Sequence, residues 1–200
     1  MTEPIPLPSP LPRLVVGADL RLEVWRAEWV EEVLGLIEHS RDTLASFLPW
    51  AAEPVTVQTE TAIQADAEDR WRRGLMVPWA VIEGDEIKGM LGMHRRGGPD
   101  ELEIGYWLDD RATGRGLMTR ACELATDIAF AVDGVEVVEI THDVRNQRSG
   151  AVPDRLGYAR TAAFTSPPQA RMESGIKVRW CAWRRSWLAR PRPSSVVRAE

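Results

Sequence analysis

The feature that most restricts this chain is a change of hydrophobic period across a glycine-bearing junction. From Glu101 to Leu108, the residues Leu102, Ile104, Tyr106 and Leu108 alternate with Glu101, Glu103, Gly105 and Trp107, the repeat of a half-buried strand. From Leu117 onward, Leu117, Ala121, Leu124, Ala125, Ile128 and Val132 recur at helical spacing, ending before Asp133-Gly134. Between them lies Arg111-Ala112-Thr113-Gly114-Arg115-Gly116. A strand that passes through such a loop into a helix aims unpaired backbone N–H groups, and the helix's positive end, at an anion. Gly114 and Gly116 lack Cβ atoms and allow close approach to the main chain, and Arg111 and Arg115 stand ready to supplement it. The same stretch also reads as an ordinary glycine turn. Leu117-Met118-Thr119 stands where a Walker loop needs lysine and Ser/Thr, and the third glycine of the dinucleotide fingerprint is missing.

The elements around the junction follow from pattern. Leu20, Leu22 and Val24 alternate with polar neighbours and predict a strand. Helical spacing follows from Ala27 to about His39 and again from about Thr59 to Arg73 before Gly74. Met76 to Glu83 and Glu86 to His94, joined by Gly84-Asp85, read as a hairpin, and the cluster Arg96 to Asp100 turns the chain into the strand at Glu101. After the helix come a β-rich run from Val135 to Thr141, a helix capped by Asn146 and ended at Gly157, and strands near Tyr158 to Phe164 and Ile176 to Trp183. An antiparallel meander followed by strand, helix, strand, helix and a closing hairpin predicts an α+β mixed sheet flanked by helices.

With 200 residues and 44% hydrophobic content, the chain suits one domain, expected over 19–188. Proline at alternate positions from Pro4 to Pro12 predicts an extended arm over 1–18, and the end, 189–200, reads as a flexible tail. A net charge of -5 with interspersed signs gives no reason to expect the basic face a nucleic-acid binder needs. Cys122 and Cys181 have no CxxC partner, and His39, His94 and His142 have no metal-ligand spacing, so reduced thiols and no metal are expected. No apolar run suits a membrane span and no leader pattern precedes the fold, which points to a cytoplasmic protein.

Arg111 to Gly116 resembles the Q/R-x-x-G-x-G/A signature of the GCN5-related N-acetyltransferases (GNAT). Glu103-Ile104-Gly105-Tyr106-Trp107-Leu108, Gly114 to Thr119, Asn146 with Ser149, Leu156-Gly157-Tyr158 and Phe47-Leu48-Pro49-Trp50 are similar to the RimJ/RimL ribosomal-protein subgroup. The resemblance spans about residues 20 to 185. It implies the acyl-CoA N-acyltransferase fold, a mostly antiparallel seven-stranded sheet whose central parallel pair splays apart, with acetyl-CoA as co-substrate. Main-chain groups of Trp107 and Leu108 would then meet the pantetheine arm. Gly114, Arg115, Gly116, Leu117, Met118 and Thr119 would cradle the pyrophosphate beside Arg111, and Asn146 would contact the pantetheine or the thioester region, a role compatible with its plainer reading as a helix cap.

Without a cysteine–histidine pair, direct attack by an amine in a ternary complex is expected rather than an acyl-enzyme. The tyrosine that many relatives place seven residues after this asparagine is replaced by Pro153, which should also kink the helix. Ser149 is the substitute proton donor that the subgroup implies, or a support for the helix start. Glu103 leads as general base, with His142 and Glu173 as rivals; an exposed strand carboxylate and a satisfied strand-end histidine are the plainer readings. The acceptor that the resemblance implies is a primary amine, on a protein N-terminus or a small molecule. Use of another acyl-CoA such as succinyl-CoA, modification of an antibiotic or polyamine, and a non-catalytic CoA-binding module stay open, as does pairing into a homodimer.

Overall fold

The computed structural model describes residues 11–17, 19–95, 98–190 and 198–199. The proline alternation before Leu11, the turn residues Arg96 and Gly97, and most of the tail fall outside them.

One sheet organises the chain. Its strands are β1 (Leu14–Val16), β2 (Arg21–Val24), β3 (Met76–Glu83), β4 (Glu86–His94), β5 (Glu101–Leu108), β6 (Val137–Asp143), β7 (Ala159–Thr165), β8 (Ile176–Trp183) and β9 (Arg198–Ala199). They lie in the order β7-β8-β6-β5-β4-β3-β2-β1-β9. Every adjacent pair is antiparallel except β5 and β6, which run parallel. The expected count of seven strands is therefore too low: β1 and β9 add an outer ladder to β2. They hold three and two residues, too few to show a period, and they fall in the stretches read as arm and tail.

Among the described residues, five α-helices flank the sheet: α1 (Val30–Ala45), α2 (Val57–Arg72), α3 (Leu117–Ala131), α4 (Gln147–Arg155) and α5 (Arg184–Ala189). The first outruns its sequence pattern because its buried stripe, Val30, Val33, Ile37, Ser40 and Leu44, continues through a serine. That serine is used: Ser40 Oγ accepts the Asp110 N–H at 3.0 Å. No apolar pattern announced α5, which is fixed by one buried residue, Trp187, whose indole N–H donates to Asp127.

Alternation along β5 sorts the two faces. Leu102 and Ile104 join the larger core with Leu117, Ala121, Ala125 and Phe130 of α3, while Trp107 packs against the smaller core built on Val33, Ile37 and Leu44 of α1. The sheet thus has α3 and α4 on one side and α1 on the other. Among the described residues, no helix is long and apolar enough to cross a membrane.

Candidate active site

The parallel pair is short. Glu101, Leu102 and Glu103 pair with Val137, Val138 and Glu139, and there the ladder stops. Beyond it β5 stays on β4 as far as Leu108↔Gly89, while β6 follows β8 as far as Asp143↔Lys177. The strands therefore diverge after Glu103, opening a seam along the edge of β5 from Ile104 to Leu108. The far end of β5 is pressed firmly onto β4, since any Cβ at Gly89 would stand 2.2 Å from the Trp107 carbonyl oxygen.

The seam runs into the glycine junction. Asp109 accepts the Arg111 N–H at 2.9 Å and holds the Arg111 guanidinium in a fork of two 2.8 Å bonds. That guanidinium depresses the Asp109 carboxyl below its usual range. Gly114 and Gly116 take positive φ, 77° and 74°, and Gly116 starts α3 with no side-chain cap. The first amides of the helix are thus left without the partner that Ser, Thr or Asp would have supplied. A Cβ at Gly114 would meet nothing within 4 Å, and the Thr119 hydroxyl in the first turn is buried with no hydrogen-bond partner. Arg111 is committed to Asp109, and Arg115 to Glu83 at 2.8 Å. Arg120, one helical turn on, is the cation beside Gly116: its Nη1 donates to the Arg115 carbonyl and would stand 3.5 Å from a Cβ there, while its guanidinium also pairs with Asp19 at 2.9 Å and Glu83 at 3.7 Å. Only that position could have flagged it in the sequence.

On the β6 side of the seam, Asn146 caps α4 by accepting the Ser149 N–H at 3.2 Å. Ser149 meets Tyr106 across the opening. The Tyr106 hydroxyl donates to the Ser149 carbonyl at 2.9 Å, and Ser149 Oγ donates to the Tyr106 oxygen at 3.2 Å. Burial lifts the phenol well above its ordinary range. Sequence alternation had marked Tyr106 only as an inward-facing residue.

The opposite face of β5 carries Glu103, Gly105 and Trp107. Glu103 borders a cavity of about 350 Å³ shared with Thr141, Phe164, Gln169, Glu173 and Lys177. Its carboxylate stands 3.5 Å from Nε2 of its cross-strand neighbour His94. Above Gly105 there is open space, and Trp107 meets the half-exposed Trp50 with ring centroids 6.2 Å apart. Glu101 is occupied elsewhere, accepting the Gly98 N–H at 3.1 Å.

The rival bases have other partners. Because Glu139 pairs with Glu103, His142 three residues on projects to the other face, where Gly150 leaves room for its ring. Its Nε2 accepts from the Trp180 indole at 3.0 Å, so in the neutral ring Nδ1 carries the proton and donates to the Asp143 carbonyl at 2.8 Å. Burial lowers its pKa. Burial alone would raise the Glu173 carboxyl. The N–H groups of Gln169 and Ala170 on one oxygen and Lys177 on the other outweigh that and lower it. Both Cys122 and Cys181 are buried and free, with their thiols pushed up by that burial.

Sheet, seam and uncapped helix start together define the class, an N-acyltransferase fold. Comparison with known proteins agrees. A family described as "Acetyltransferase (GNAT) domain" matches residues 19–159. The chain belongs to the GNAT acetyltransferase family. It is 29% identical over 150 residues, 72% of its length and 79% of the other's, to YdaF of Bacillus subtilis (strain 168), named as a ribosomal N-acetyltransferase. Two solved structures share the fold. One is RimL, titled a ribosomal L7/L12 alpha-N-protein acetyltransferase in complex with coenzyme A, at TM-score 0.77 and 17% identity, covering 83% of this chain and 94% of that one. The other is Mycobacterium smegmatis RimJ in complex with a CoA disulfide, at TM-score 0.79 and 19% identity, covering 88% and 89%.

Proposed function

We propose that this protein transfers the acetyl group of acetyl-CoA to a primary amine, with a protein N-terminus as the favoured acceptor, by direct attack in a ternary complex in the cytoplasm. The observation that carries this reading is the loss of β5–β6 pairing after Glu103, which opens a seam ending at the bare amides of α3. In it the free backbone edge at Trp107 and Leu108 takes the pantetheine arm. The amides from Gly114 to Thr119, the free Thr119 hydroxyl and Arg120 take the pyrophosphate. The relatives named above, with coenzyme A in the RimL complex and a CoA disulfide in the RimJ complex, support the choice of donor.

Glu103 is the base. It borders the cavity on the side where Gly105 leaves space, whereas His142 lies on the other face with both nitrogens engaged and Glu173 closes its own loop. The amine nitrogen attacks the thioester carbonyl and gives its proton to Glu103; the carbon–sulfur bond breaks, and Ser149 donates a proton to the departing sulfur. Solvent returns a proton from Glu103 to Ser149, so the balance closes. An α-amine of pKa about 7.8 loses only about 1 kcal/mol to reach its neutral form at pH 7, against roughly 4.6 for a lysine, so one carboxylate suffices for it.

Thiol release from acetyl-CoA, measured with a panel of peptides and small amines, tests the reading. Peptides with free N-termini should be turned over, with kcat for Glu103→Gln lower by about 100-fold or more. Absence of acetyl-CoA binding, or of thiol release with every amine, overturns it. Wild-type turnover by both Glu103→Gln and Ser149→Ala removes the catalytic roles and leaves coenzyme binding standing.

A further inference from the structure

Tyr106 and Ser149 are joined by two hydrogen bonds to one residue, and the pair sits where β5 and β6 part. We propose that Tyr106 is a positioning residue that holds the Ser149 hydroxyl at the mouth of the seam until the leaving group needs it. This rests on the role given to Ser149 above.

A serine in the first turn of a helix has a competing choice. Its hydroxyl can bond back to the carbonyl three or four residues earlier, here that of Asn146 or Arg145, which folds it along the helix and away from the opening. Tyr106 offers a different acceptor across the gap, at 3.2 Å, and fixes its own direction by donating to the Ser149 carbonyl at 2.9 Å. With its proton spent on that carbonyl, the phenol presents a lone pair to Ser149, and Oγ–H has one defined place to point.

The ring reaches this position for a topological reason. Even-numbered residues of β5 face α3 and α4, and β6 has left β5 by the level of Tyr106, so nothing of β6 stands between that side chain and the first turn of α4. During transfer, rotation about the Ser149 Cβ–Oγ bond turns the hydroxyl proton from the Tyr106 oxygen to the departing sulfur. Tyr106 keeps its own proton throughout. Burial makes its phenolate costly, which favours a neutral acceptor over a proton source at this point.

The test is a double-mutant cycle in steady-state kinetics, with acetyl-CoA and a peptide accepted by the wild type. Tyr106→Phe keeps the ring and removes both bonds. It should lower kcat about tenfold, the effect of one aligning hydrogen bond, and leave KM for acetyl-CoA within about twofold. In the Ser149→Ala background the same substitution should do nothing further. Unchanged kcat in Tyr106→Phe overturns the proposal. So does an equal loss in both backgrounds, the mark of a clamp that merely steadies α4. If Ser149→Ala is as active as the wild type, the Ser149 role itself fails and takes this one with it; a slow Ser149→Ala with additive Tyr106→Phe overturns the positioning role alone. Should Tyr106→Phe lack a cooperative melting transition, 3-fluorotyrosine replaces both tyrosines of the chain, Tyr106 and Tyr158. It weakens the oxygen as an acceptor, and kcat should fall in the wild-type background and stay level in Ser149→Ala. The opposite pattern counts against the proposal.

Discussion

Helices α2 and α3 have nearly equal lengths, 16 and 15 residues, and are built in opposite ways. α3 buries ten of its residues, nearly all apolar, from Leu117 through Phe130. α2 buries only Glu60, Gln64 and Ala67, leaves both polar atoms of the Gln64 amide without partners, and exposes Val57 and Ile63. The difference follows what each must hold still. In the proposed function the first turn of α3 offers its own backbone to the pyrophosphate, and a displacement of the helix would displace every one of those amides together. α2 lies against β3, away from the seam, and carries no such duty.

Four measurements sharpen or break this contrast. Phe130→Ala should cost about 3–5 kcal/mol of unfolding free energy in urea titration, since a fully buried ring is removed from close-packed neighbours. Gly116→Ala should cost about 1–2 kcal/mol, because φ of 74° is unfavourable for any residue with a Cβ, and acetyl-CoA binding measured by calorimetry should weaken with it. Glu60→Gln should stabilise the protein by on the order of 1 kcal/mol at pH 8. Burial raises the Glu60 carboxyl above its ordinary value of 4.5, so folding favours its protonated form. That contribution is present below the unfolded pKa and is lost as pH rises through the folded one. The gain in melting temperature from Glu60→Gln should therefore vanish near pH 4. Ile63→Ala should change stability by less than about 0.5 kcal/mol, as expected for a half-exposed side chain. A loss of several kcal/mol there would show α2 to be as tightly held as α3.

The part of the fold proposed to bind acetyl-CoA is the part most legible in the sequence. β3, β4, β5 and β8 stand at the boundaries that alternation gave them, and α3 begins at the predicted Leu117, because period and glycine placement act locally. What stayed hidden depends on side-chain contacts, near or far along the chain, that hydrophobic spacing does not encode. His142 looked like a free titratable group until β8 placed Trp180 against its ring. Glu173 looked like a rival base until its own loop folded onto it. Arg111 looked available until Asp109, two residues before it, took both ends of its guanidinium. Tyr106 read as core because a hydroxyl partner 43 residues further along leaves no trace in spacing.

The insertion of β8 between β6 and β7 sets the order in which a growing chain can finish. β6 has only three registered partners on β5 but seven on β8, from Lys177 to Trp183. A ribosome-bound chain that has emerged only as far as the end of β7 already contains every residue named at the seam, yet β6 lacks most of the support that holds it apart from β5. Competence thus arrives late and all at once, with the last long strand, and a chain broken off before Ile176 should be inert even though no side chain proposed for catalysis is missing.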